Sequence, residues 1–138
     1  MLANGAKLGH KATGVGTTYI DLAGLKEIPE LGGEPEKVEV TTLADTAKQY
    51  EFGITDYGDL EFKFKYENSS ATSPYRVLRA LAENKTKTDF ELTLKDGTKF
   101  TWSAIPNVKL GGGGVNAAIE FTLTMALQSD IDVTDPTP

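Results

Sequence analysis

The chain has 138 residues, with 20 acidic and 14 basic side chains, one histidine and no cysteine. Zero cysteines exclude a disulfide framework, a thiol nucleophile and any thiolate-ligated zinc or iron–sulfur site. A net charge of −6 argues against tight nucleic-acid binding, which needs a basic footprint.

Twelve aromatics and a 39% hydrophobic content support one folded domain rather than wholesale disorder. No apolar run approaches the roughly 20 residues of a membrane helix. The first residues, Met1-Leu2-Ala3-Asn4-Gly5-Ala6-Lys7, lack the apolar segment of a signal peptide. Charge is unevenly spread: residues 31–70 hold nine acidic and four basic side chains, residues 71–110 four and seven. Such blocks arise by chance, but a chain that repeats head to tail can use them as complementary surfaces.

Residues 1–16 are rich in Gly, Ala and Lys without periodicity, and are expected to form a flexible arm. A short strand is predicted over residues 17–22, followed by a loop with Pro29, Gly32, Gly33 and Pro35. Residues 37–42 alternate polar and apolar, the mark of a strand with one wet face. The clearest alternation is at residues 59–67. There Leu60, Phe62, Phe64 and Tyr66 share one face, and Asp59, Glu61, Lys63, Lys65 and Glu67 the other.

One helix is predicted next. Ser73 suits the N-cap, Pro74 the first position, and Val77, Leu78, Leu81 and Ala82 give an apolar stripe; Asn84 is a plausible left-handed stop. Residues 89–94 and 99–104 flank Lys95-Asp96-Gly97-Thr98, where Asp-Gly points to a tight primed turn. A linking stretch with Pro106 and the glycines at 111–114 leads to a last strand at 117–128, and residues 129–138 read as a disordered tail. The sum is six or seven strands and one helix, a mainly β sandwich or barrel with a helical plug.

Chemistry is sparse. The glycine run leads into a strand and lacks the Gly-Lys-Ser/Thr of a phosphate loop. Asp130, Asp132 and Asp135 lack the glycine and distal glutamate of a calcium loop. His10 has no triad motif around it, and no Gly-x-Ser-x-Gly occurs. No catalytic residue, cofactor site or metal site is expected. A sugar-binding sandwich using Trp102, Tyr57 and Tyr19 is a rival, although an aromatic in alternating register more often packs in a core.

Residues 43–58 form an unusually long connection that carries Leu43, Asp45, Tyr50, Phe52, Ile54, Asp56 and Tyr57. Either an extra strand or a packed loop fits it, or else an arm buried only against another subunit.

At this segment the sequence resembles the major tail tube proteins of long, non-contractile phage tails. The likeness lies in Thr41-Thr42-Leu43-Ala44-Asp45, in Gly53-Ile54-Thr55-Asp56-Tyr57-Gly58, and in the Leu60-Glu61-Phe62 strand. It continues through the helix at 74–81, the Asp-Gly hairpin and the strand at 121–127.

The resemblance implies a tail-tube-type β-barrel or sandwich with one short helix, a long inter-strand loop and flexible termini over residues 17–128. It implies hexameric rings that stack into a tube through which double-stranded DNA passes without being gripped. The loop residues named above would make contacts between subunits or rings. Tape-measure, tail-terminator and distal tail proteins would be further partners. The protein would be made in the cytoplasm of a bacterial host, reside in the virion tail, and touch no membrane. An acidic lining suits a polyanion conduit, and Glu39, Asp59, Glu61 and Glu120 are the residues expected to face the lumen. A tube protein of a contractile tail or secretion system is the nearest alternative.

Overall fold

A computed structural model describes residues 4–14, 16–32, 34–56, 59–115 and 117–136. The chain order is β1 (Lys7–Ala12), β2 (Ile20–Leu22), β3 (Leu25–Glu27), β4 (Glu34–Glu39), β5 (Tyr50–Asp56), β6 (Leu60–Lys65), α1 (Pro74–Glu83), β7 (Thr88–Thr93), β8 (Lys99–Leu110), β9 (Glu120–Leu127) and β10 (Asp132–Thr134). The main sheet is antiparallel, in the order β2-β1-β7-β8-β9-β6-β3, with β10 also on β8; β4 and β5 form a separate two-stranded sheet.

The sheet order starts at β2 and ends at β3, yet only Ala23-Gly24 separates those two strands in sequence. This short link draws the two sheet ends together, so the sheet curls into an open barrel not closed by a ladder. Gly24 holds the corner at φ +85°, and its carbonyl accepts a hydrogen bond from the Lys65 amide at 2.8 Å. The barrel interior is filled by Leu8, Leu22, Leu60, Phe62, Phe64, Phe90, Leu92, Trp102, Phe121, Leu123 and Met125, and Leu78 of α1 plugs it. Trp102 lies between Phe62 and Phe90, with ring centroids 6.0 and 6.2 Å away. Its indole N–H donates to Met125 Sδ at 3.1 Å, which satisfies a polar atom inside an apolar core.

The alternating segments fold as their pattern dictates: β6 runs buried-exposed from Leu60, and β9 buries Phe121, Leu123 and Met125. Several expectations are corrected. Within residues 1–16, β1 is a full strand between β2 and β7, because Leu8 packs in register with Leu22 and Leu92. Gly9 makes this possible: a Cβ there would lie 2.9 Å from Tyr19 Cβ. In the tail, β10 pairs antiparallel with residues 99–101 of β8. Residues 25–27, expected in a loop, add β3 to the sheet.

β8 also runs straight through Pro106 to Leu110. The Ser103 carbonyl and the Gly111 amide both bond toward β9 and the chain that flanks it. By alternation, Pro106 turns its missing donor toward the other flank, where β7 has ended opposite Ala104. No ladder bond is lost.

Two turns differ in detail. In the β7–β8 hairpin only Gly97 has positive φ (+98°), and the Gly97 amide bonds to the Leu94 carbonyl at 3.0 Å. This is a type I turn with a glycine bulge, not a primed two-residue turn. At the end of α1, Asn84 is right-handed at φ −87°, and Lys85 takes the left-handed position at +49°. Bonds from Thr86 N–H to Leu81 O and from Lys85 N–H to Ala82 O complete a Schellman motif one residue later than expected.

Candidate assembly surface

Of the readings open for residues 43–58, the extra strand is the one found: their described part supplies β5 and the tip of a β-hairpin. β4 and β5 pair only with each other in the sheet topology, with Lys37 opposite Phe52, Val38 opposite Glu51 and Glu39 opposite Tyr50. Every residue from Lys37 to Gly53 is exposed. By register, Tyr50, Phe52, Lys37 and Glu39 share one face, and Val38, Val40 and Glu51 the other. Phe52 is 70% exposed and Leu43 completely so. Large apolar side chains left in water on a separate arm mark an interaction surface.

The Thr-Thr-x-x-Asp run acquires a physical role at the tip. Asp45 Oδ2 accepts from the Thr42 amide at 2.8 Å and from the Thr42 hydroxyl at 3.2 Å, while the Asp45 amide returns a bond to the Thr42 carbonyl. Thr41 Oγ1 accepts from the Gln49 amide at 2.9 Å. These bonds fix a tight reversal that carries Leu43 at its apex. Asp45 is therefore engaged in bracing the tip. Tyr57 lies outside the described residues, as do the side chains of Ile54 and Asp56; the backbone of the last two belongs to β5.

The four acidic residues expected in a lumen fall in two places. Glu61 and Glu120 point outward from neighbouring strands β6 and β9, with Glu61 opposite Thr124 and Lys65 opposite Glu120. Asp59 sits exposed just before β6. Glu39 is not brought to them; it stands on the aromatic face of the hairpin. The β6–β9 face is mixed in charge. Lys26 pairs with Glu120 and holds its carboxyl below the ordinary value, and Lys63 lies 3.7 Å from Glu27. Lys109, opposite Thr122, adds a further cation on the same side.

On the opposite flank of the barrel, Asp89 of β7 gathers Lys11 Nζ at 2.7 Å, Thr13 Oγ1 at 3.0 Å and Ser103 Oγ at 2.5 Å. Burial opposes its ionisation, but these donors outweigh it and hold the carboxyl below its ordinary value. The cluster is a structural clamp across β1, β7 and β8. His10, half-buried beside it in sequence, is pushed down by desolvation.

Among the described residues, the aromatics considered for a sugar platform are not brought together. Trp102 is buried, Tyr19 is half-buried with Lys11 5.5 Å over its ring, and Tyr57 lies outside the described residues. Among the described residues, no group of three His, Asp or Glu side chains is placed to hold a metal ion, and no helix is long and apolar enough to cross a membrane.

The exposed Leu43, Tyr50 and Phe52 of a hairpin that pairs with no strand of the barrel are its most prominent surface feature. The match to known families is specific: residues 5–135 fit the family described as phage tail tube protein, TTP, and the chain belongs to that family. It is thus a structural component of the tail tube of phage-like particles, not an enzyme.

Solved structures share the fold. A chain in a C6-symmetric, helically refined tail of an empty gene transfer agent particle is 17% identical with a TM-score of 0.71, covering 94% of this chain and 95% of that one. A chain in the sheath/tube terminator of an extracellular contractile injection system is 10% identical with a TM-score of 0.73, covering 98% and 96%. A chain in the anti-feeding prophage baseplate is 16% identical with a TM-score of 0.67, covering 94% and 91%. Among curated protein sequences, no relative matches.

Proposed function

We propose that the chain builds the tube of a long, non-contractile phage-like tail as stacked rings of six copies of itself, a conduit for double-stranded DNA. The observation that carries this reading is the hairpin. Tyr50, Phe52 and Leu43 are held by a braced β-ribbon away from their own barrel, where only another molecule can cover them. The gene transfer agent tail of the same fold has C6 symmetry, which supports six copies per ring. Tail-terminator, distal tail and tape-measure proteins are the expected partners at the ends and inside of such a tube. The outer face of β6 and β9, with Asp59, Glu61 and Glu120, is assigned to the lumen. Its alternating acids, lysines and threonines would let a polyanion slide without gripping its phosphates.

The contractile injection system likeness favours a second reading, in which a sheath surrounds the tube. Binding of a sheath protein to the outside of assembled tubes would select it.

Electron microscopy of concentrated protein tests the main reading. The wild type should form tubes with six-fold end views. A variant in which residues 38–51 are replaced by Asn-Gly, closing the ribbon on the Lys37–Phe52 pair, should fold but remain monomeric. Tubes from the shortened variant, or no rings from the wild type at any concentration, would refute it.

A further inference from the structure

The outer face of β6 and its neighbours β3, β9 and β8 is neutral as a whole but not along its length. Glu27, Asp59 and Glu61 line one hollow, with Lys63 as its cation. Toward the other end of β6, Lys26, Lys65 and Lys109 stand with a single acid, Glu120, which pairs with Lys26. Each end thus holds three charges of one sign and one of the other. Among the described residues, the ion pairs of this face are Lys26 with Glu120 and Lys63 with Glu27, which leaves Asp59 and Glu61 unpaired at one end and Lys65 and Lys109 at the other.

The ladder fixes the spacing. Rows cross the sheet as Glu61–Thr124–Asn107, then Lys63–Thr122–Lys109, then Lys65–Glu120. Glu61 and Lys65 are four residues apart on one strand, about 13 Å at roughly 3.3 Å per residue. That exceeds the ~8 Å over which salt screens charge at physiological ionic strength. A phosphate passing along the face therefore meets the two ends one after the other, not their sum.

From this separation we infer that the chain contacts the phosphodiester backbone of double-stranded DNA at one level only, through Lys65 and Lys109 on either side of β9, and repels it at the level of Asp59 and Glu61. The Thr122 hydroxyl side chain, directly opposite Lys109, lies within the contact level. A tube of such copies carries alternate attractive and repulsive levels that repeat with its rings. Double-stranded DNA has one charge per about 1.7 Å of axis, so a level one row-step deep, about 7 Å, always faces roughly four phosphates. Contact is then independent of base sequence and of the position reached. Because the attraction at one level is offset by repulsion at the next, the DNA is touched in every ring without being held by the tube as a whole. This inference rests on the tube reading and its lumen assignment, and names the residues and the ligand chemistry within them.

A charge-conserving variant separates this inference from a simple average of charge. Asp59→Asn/Glu61→Gln/Lys65→Gln/Lys109→Gln keeps the net charge of the face but removes both unpaired ends. DNA ejection from single fluorescently stained particles is followed in a series of salt concentrations, with electron microscopy confirming that tails have formed. Wild-type transit should quicken by roughly threefold between about 50 and 200 mM salt, as phosphate contacts are screened. The fourfold variant should already run at the fast rate in low salt and respond little to added salt. Lys109→Gln alone, at an exposed position, should shift transit the same way to a smaller degree, and it decides the matter if the fourfold variant forms no tails. Wild-type rate and salt response in the fourfold variant, or in Lys109→Gln where that variant is the one assembled, would overturn the contact level while leaving the tube reading intact. If wild-type protein never forms tubes, both fall.

Discussion

Lys85 offers a test in which structure and sequence pattern predict opposite outcomes. The residue sits at φ +49°, where a Cβ crowds the backbone, while Asn84 before it is right-handed. A left-handed non-glycine residue costs about 1–2 kcal/mol. Replacing it by glycine removes that strain but loosens the unfolded chain by about 0.4–1 kcal/mol, leaving a net gain of about 0.5–1 kcal/mol for Lys85→Gly. The same change at Asn84 relieves no strain and adds only the entropic cost, so Asn84→Gly should lose about 0.5–1 kcal/mol. At about 2.1 cal/mol/K per residue, the unfolding entropy of 138 residues is about 0.29 kcal/mol/K, so each change moves Tm by about 2–3 °C in opposite directions. Dilute monomer must be used, because assembly would add its own concentration-dependent stability. Thermal and urea melts of the two variants suffice. Stabilisation by Asn84→Gly with destabilisation by Lys85→Gly would refute the Schellman assignment and restore the stop to Asn84.

The Asp89 clamp predicts a pH dependence. The folded carboxyl is held below its ordinary value of 3.8, so its contribution is present above that pH and lost as pH falls through the folded value. Asp89→Asn should therefore cost about 2 kcal/mol at pH 7 by urea titration, and the gap from wild type should narrow below pH 4; a constant gap would contradict the clamp. In the tube wall, Asp59→Lys/Glu61→Lys should leave tubes visible by electron microscopy while DNA ejection slows or stalls, and unchanged ejection would remove these residues from the lumen.

How much was legible followed from whether the burial pattern was local. β6 and β9 each bury alternate residues along six to eight positions, so a period of two announced them. β1 was hidden because Leu8 is the one large apolar residue it buries, flanked by Gly9, His10 and lysines. β10 buries nothing; Asp132, Val133 and Thr134 are all exposed, and backbone bonds to β8 alone hold them. Pro106 hid the far half of β8, because whether a proline breaks a strand depends on which flank its nitrogen faces. The apolar residues of the hairpin were visible as residues without an evident core, but their exposure is a tertiary fact.

The distribution of charge gains meaning from the same geometry. Of 20 acidic and 14 basic side chains, six and two lie in residues 34–56, leaving 14 and 12 for the rest of the chain. The acidity that made the protein a poor holder of nucleic acid is therefore concentrated on the arm, while the rest is nearly balanced. Two such arms repel one another, so a symmetric hairpin-to-hairpin dimer is disfavoured. The rest of the chain, with 14 acidic and 12 basic side chains, imposes little such penalty. Repulsion between like arms thus acts against a closed hairpin-to-hairpin pair and leaves contact between an arm and a barrel as the electrostatically permitted one.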